Sequence, residues 1–222
     1  MCGRLFIKPE EVYRILDELG LPWMQAPEVN NQAPSEAVSF VYMDKGTPAM
    51  RPMRWGLHPH FAPKAPTHES RTHNARIESI EELSTFRDAI QRQRGFVPAA
   101  GFLEWKNEGK ISEPFYFDCE TQPLAIAGIW DVWDGKVFSF SVITQPADKH
   151  FGQIHPRMPL TLTSEQTRRW CNPTENAHSL LSEFYGHSLP LRFRPVSFDV
   201  NNARNKGPVE FVDCHPKQAA LF

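Results

Sequence analysis

The apolar positions of this chain fall mostly into short runs bounded by turn residues, with a helical spacing in only a few places. Cys2 to Ile7 reads as an opening strand. From Pro9 to Gly20 the period changes: Val12, Ile15, Leu16 and Leu19 recur at helical spacing, acids sit early and Gly20 is a stop. Ala37 to Met43 and Met50 to Trp55 read as strands around the turn Asp44-Lys45-Gly46. Ser79-Ile80-Glu81-Glu82 has the form of a capping box, predicting a helix that runs to about Arg94 and ends at Gly95. Four strands follow, over Phe96 to Trp105, Phe115 to Cys119, Leu124 to Trp130 and Val137 to Ile143. A second box, Thr163-Ser164-Glu165-Gln166, predicts a helix stopped by Asn172-Pro173. Asn176 to Tyr185 reads as another short helix, and Leu191 to Val200 as a last strand or two. Strands outnumber helices without alternating with them. That predicts an α+β, mainly antiparallel domain over residues 1–222, with the tail from His215 to Phe222 loosely held.

Composition narrows the class. A hydrophobic content of 41% and a charged content of 23% fit a soluble globular protein. No apolar run approaches the ~20 residues needed to cross a bilayer, and no signal peptide is visible. A cytosolic location is expected. Cys2, Cys119, Cys171 and Cys214 are far apart with no metal-ligand spacing, so neither zinc nor structural disulfides are expected. A net charge of −2 gives no global signature for nucleic acid, although a local stripe of arginines can hold a few phosphates. The 20 prolines point to many short elements joined by fixed turns.

The start of the chain carries distinctive chemistry. Removal of Met1 would leave Cys2 with an α-amine and a thiol on adjacent carbons, with reference pKa values of about 7.7–8.0 and 8.5. Such an aminothiol condenses with an aldehyde to an imine, and sulfur then closes a thiazolidine ring. The alternative is a small buried cysteine opening a strand.

Four polar groupings interrupt the strands. Asn30-Asn31-Gln32-Ala33-Pro34 is explained by turn chemistry or by function. Thr72 to Glu78 (THNARIE) offers Asn and Arg for backbone caps or for a substrate oxygen or phosphate. In Gly101 to Lys106 (GFLEWK), Glu104 lies among large apolar residues, where burial would raise its pKa toward neutrality. The alternative there is an outward carboxylate paired with Lys106. Ile154 to Pro159 (IHPRMP) places His155 two residues from Arg157 in a proline-fixed loop.

With these groupings in hand, the chain resembles the SOS response-associated peptidase family, whose domain crosslinks to abasic sites. The motifs are MCGR at the start, NQAP at Asn31, RWG at Arg54, NAR-I-E at Asn74, GFLEWK at Gly101, IHPRMP at Ile154 and VNNARNKGP at Val200. The resemblance covers essentially the whole chain. It implies a barrel-like central sheet flanked by short helices and crossed by a positive channel. It also implies a monomer that needs no cofactor, with abasic single-stranded DNA as partner and the nucleoid as its place when bound. Met1 would be removed by the protein itself or by another enzyme. Cys2 would then attack the ring-opened aldehyde and form the thiazolidine. Asn74 would hydrogen-bond near the new ring. Glu104 would act as acid/base in imine formation and reversal, and His155 would help open the sugar. Arg4, Arg76 and Arg157 would hold phosphates. Pro156, Leu103 and Gln32 depart from residues usual in the family, and Pro156 bears on the placement of His155.

Single-strand selectivity is expected from an aromatic and apolar wedge, with Trp55, Trp105 and Leu57 to Phe61 as candidates against a core-packing alternative. Two further functions stay open. One is an N-terminal nucleophile glutamine amidotransferase, which also begins Met-Cys-Gly but needs a second domain to receive ammonia. The other is a single-strand-binding domain without covalent chemistry.

Overall fold

The computed structural model describes residues 2–67, 72–109 and 111–213. Met1 and the tail from His215 to Phe222 lie outside them. Thirteen strands and four helices are present among the described residues, and nearly all strand pairs are antiparallel. The α+β expectation holds.

Five strands close on themselves. β3 (Ala37–Asp44) pairs with β4 (Thr47–Trp55) and with β6 (Arg94–Ala99). β6 pairs with β9 (Leu124–Trp133), β9 with β10 (Val137–Pro146), and β10 returns to β4 in parallel. The result is a ring of strands around Phe40, Phe140 and Trp55, all buried and stacked in sequence. The short strand β5 (Asn74–Arg76) runs parallel to β10, and β11 (Arg157–Pro159) pairs with β10 antiparallel; β12 (Thr161–Leu162) lies on β9.

The second sheet orders β13 (Arg192–Pro195), β8 (Ile111–Asp118), β7 (Gly101–Glu108), β1 (Arg4–Ile7) and β2 (Val29–Gln32). Its two faces separate sharply. Leu5, Ile7, Phe102 and Phe117 join the main core, whereas Phe6, Leu103 and Tyr116 form a smaller cluster with Val196 and Val200. Alternation along β1 and β7 produces this division.

Helix α1 (Pro9–Leu19) starts with Pro at its first position and buries Val12, Ile15, Leu16 and Leu19. Gly20 closes it at φ 68°, with cap N–H groups donating to the carbonyls of Asp17 and Leu16. The box at Thr163 is complete and opens α3 (Ser164–Cys171), with Gln166 N donating to Thr163 Oγ1 and Thr163 N to Gln166 Oε1. Helix α4 (Ala177–Phe184) is capped by Asn176.

The structure departs from the expected elements at several places. Ser79 does not open the helix: its carbonyl takes the N–H groups of Glu82 and Leu83 in a turn that buries Ile80, and α2 (Ser84–Arg92) begins only afterwards, with Leu83 at its N-cap. Gly95 is no helix stop but a β6 residue. A Cβ there would stand 2.3 Å from the Val41 carbonyl, so the close approach of two strands selects glycine. The strand expected over Phe96 to Trp105 breaks at Ala100, whose N–H bonds the Phe6 carbonyl as the chain passes from the ring to the second sheet. Asn30 to Gln32, read as loop, belongs to β2. Of the last segment, Arg192–Pro195 is strand and Phe198–Asn201 is a 3-10 turn.

Candidate functional site

The site grows from the pairing of β1 with β7. Arg4 faces Leu103 in register, and Gly3 N donates to the Leu103 carbonyl at 3.1 Å, so the chain before Arg4 runs alongside Glu104 and Trp105. Glu104 shares the inward face with Phe102 and is only 3% exposed. Burial pushes its carboxyl up to about 7. Lys106 does not pair with it; its ammonium meets Glu108 at the surface instead. Cys2 is fully buried. That burial, and then the charge of Glu104, push its thiol well above the ordinary range. Asn74, brought in by β5, donates from Nδ2 to the Cys2 carbonyl at 3.3 Å. Its Oδ1 is buried and has no hydrogen-bond partner among the described residues. Cys2, Glu104 and Asn74 are therefore gathered at one spot from segments remote in sequence.

Gly3 is required by Trp105. A Cβ at residue 3 would lie 2.5 Å from the indole ring. The half-buried indole is also held by Arg4, whose guanidinium lies 5.3 Å from the ring centroid, and by Asn201, which accepts its N–H at 2.6 Å. Arg4 is half-buried and donates to the Gly3 carbonyl. Burial lowers its pKa from the ordinary arginine value.

His155 comes from the connection between β10 and β11. Phe151 anchors that connection in the core against Phe102 and Phe117, and Asp148 caps it by accepting Phe151 N at 2.7 Å. The imidazole Nδ1 lies 3.1 Å from Arg157 N and 2.9 Å from Arg157 O. Burial lowers the His155 pKa, so the ring is neutral at pH 7. Pro156 stays exposed, and its carbonyl accepts Ala147 N at 3.0 Å.

The expected DNA contacts divide. Arg76 is exposed on β5, next to Asn74. Arg157 is not presented outward: its two terminal nitrogens fork onto Glu78 at 2.8 Å each, and one also reaches the Thr144 carbonyl. Trp55 is corrected from wedge to core. It is fully buried and stacked on Phe140, with its N–H given to the His73 carbonyl. Leu57 is buried as well, while Phe61 is exposed.

Three residues that sequence reasoning left without a definite role shape this region. Asn31, at φ 50°, donates from Nδ2 to the carbonyls of Val200, Asn202 and Asn205. Lys206 returns to the Asn31 carbonyl and to Glu36. Arg54 lies across Gly56 and bonds its carbonyl; a Cβ there would meet the guanidinium at 2.5 Å. The amide-rich motif near each end of the chain is the signal that could have paired Asn31 with the 200–206 segment. An apolar cavity of about 520 Å³ between α1, β3, β6 and α3 shares no lining residue with the Cys2 group.

The chain has relatives among known proteins. A model of the family described as SOS response associated peptidase (SRAP) matches residues 1–203. Abasic site processing protein YoqW of Bacillus subtilis is 29% identical over 229 residues, covering 97% of this chain and 100% of its own. Abasic site processing protein YobE of the same organism is 30% identical over 183 residues, covering 78% of this chain and 83% of its own. A crystal structure of a Bacteroides thetaiotaomicron protein superposes with a TM-score of 0.70 at 24% identity, covering 90% of this chain and 91% of that one; at that identity the likeness is one of fold.

Proposed function

Because the chain belongs to the SOS response associated peptidase family, we propose that it processes abasic sites in single-stranded DNA by forming a covalent adduct through Cys2 once Met1 has been removed. The observation that carries this reading is the grouping of Cys2, buried Glu104 and Asn74, with Asn74 on the Cys2 carbonyl at 3.3 Å. The names of the relatives point the same way.

The chemistry follows from the groups present. Protonation of the sugar ring oxygen opens the hemiacetal to an aldehyde. The Cys2 amine adds to that carbon, and loss of one water leaves an imine. Sulfur then adds to the imine carbon, its proton passing to nitrogen, and a thiazolidine is formed. A carboxyl with a pKa of about 7 is half protonated at neutral pH, so Glu104 can give a proton to the departing oxygen and take one back in reversal. His155, neutral at the same pH, suits the role of base that takes the anomeric hydroxyl proton as the sugar ring opens. Amine and thiol on one residue make the ring closure intramolecular, an advantage worth about 7–11 kcal/mol. Removing the imine blocks β-elimination and so protects the strand. Arg4 and Arg76 serve the neighbouring phosphates, and Trp105 offers an aromatic face for a base.

The test is a single-stranded oligonucleotide with one abasic site, incubated with the protein and run on a denaturing gel. A shifted band with wild type and none with Cys2→Ala supports the reading. Equal lanes remove it and favour non-covalent binding, while release of glutamate from glutamine would favour the amidotransferase.

A further inference from the structure

His155 lies outside every strand and helix, yet its surroundings are fixed. Its Nδ1 meets main-chain atoms of Arg157, N at 3.1 Å and O at 2.9 Å, so the position of the ring follows the position of that residue. Arg157 in turn is set by its side chain. The guanidinium forks onto both oxygens of Glu78 at 2.8 Å and donates to the Thr144 carbonyl at 2.8 Å. The same carbonyl accepts Ile77 N at 2.9 Å, which ties the residue before Glu78 to β10. The Arg157 side chain is 14% exposed, and a two-bond fork in that setting fixes orientation as well as distance. Hydrogen bonding from Arg157 holds the Glu78 carboxyl below the usual range, so the fork stays ionised at neutral pH.

Asn74 and Glu78 belong to one five-residue stretch. Its first residue holds the Cys2 carbonyl and its last holds the His155 connection. We propose that Glu78 is a positioning residue: through its fork with Arg157 it places the His155 imidazole relative to Cys2. This rests on the abasic-site reading only for its kinetic consequence; the placement of the ring is independent of it.

The experiment uses the full chain carrying Glu78→Gln or Glu78→Asp, with two readouts. In 15N spectra of the histidine rings, Glu78→Gln should shift the His155 Nδ1 resonance, and Glu78→Asp should restore it in part. In single-turnover adduct formation, Glu78→Gln should lower the maximal rate roughly ten- to hundredfold while the half-saturating oligonucleotide concentration stays within about twofold. An unmoved His155 resonance overturns the proposal. So does a kept maximal rate with weakened DNA binding, which would return Glu78 and Arg157 to docking. If wild type forms no adduct, the abasic-site reading fails and the ring resonance still decides the placement. Should Glu78→Gln fail to fold, Glu78→Asp is read against wild type: a smaller shift of the His155 resonance with a smaller loss of maximal rate supports the proposal, and an unmoved resonance overturns it.

Discussion

The side-chain amide of Asn74 donates to the main-chain carbonyl of Cys2 at 3.3 Å, joining β5 to the start of the chain across 72 residues. The bond orients the residue that carries both nucleophiles without engaging either of them. Asn74→Ala should therefore slow adduct formation about five- to tenfold, the equivalent of one net hydrogen bond of ~1 kcal/mol. Single-turnover kinetics at saturating oligonucleotide check this. Asn74→Asp should be slower still, because a carboxylate would face a carbonyl oxygen.

Glu104 gives a pH signature to stability. Its folded pKa, about 7, lies above the ordinary 4.5, so between those values the folded state binds more protons than the unfolded chain. Stability should then fall as pH rises from 4.5 to 7 and level off above, by about 3 kcal/mol from this group. Glu104→Gln should remove that decline and be the more stable protein at about pH 8. Urea denaturation of both forms at about pH 5 and pH 8, on either side of the folded pKa, measures it. In the crosslinking assay the same variant should be slow with little change in DNA affinity; an equal loss of binding would assign Glu104 to structure.

Gly3→Ala places a methyl 2.5 Å from the Trp105 ring, backed by Asn201 on the indole N–H and Arg4 over the ring. The ring must move. The variant should lose about 1–3 kcal/mol and show a changed tryptophan emission, read by denaturation and by fluorescence.

Asn31→Ala removes three donations to the carbonyls of Val200, Asn202 and Asn205 and puts alanine at φ 50°. A loss of about 2–3 kcal/mol is expected, together with faster proteolytic cleavage near residues 198–206. Cleavage mapped by mass spectrometry distinguishes this local release from global unfolding.

Elements whose signals are local were legible in the sequence. The α1 periodicity, its Gly20 stop and the Thr163 box depend on near neighbours along the chain, and each is realised. Pairing over long distances was not legible. Asn31 finds its partners 169 to 174 residues away, and Glu78 meets Arg157 across 79, so both motifs read only as turn chemistry or anion sites. Alternation placed Glu104 with Phe102 but could not say which face is inside; the register of β1 against β7 decides that. Trp55 was ambiguous for the same reason, and the ring of strands encloses it. The Ser79 box failed because burial of Ile80 in a turn outweighed a helix start with no apolar face yet formed.

The central claim is that Cys2, freed of Met1, binds one aldehyde carbon through nitrogen and sulfur together. The intact mass of the adduct with an abasic oligonucleotide tests it most directly. The expected mass is that of the protein lacking its first methionine plus the oligonucleotide, less one water, and it should vanish when the terminal amine is blocked beforehand. An adduct that retains methionine, or one that forms equally well on amine-blocked protein, would contradict the account.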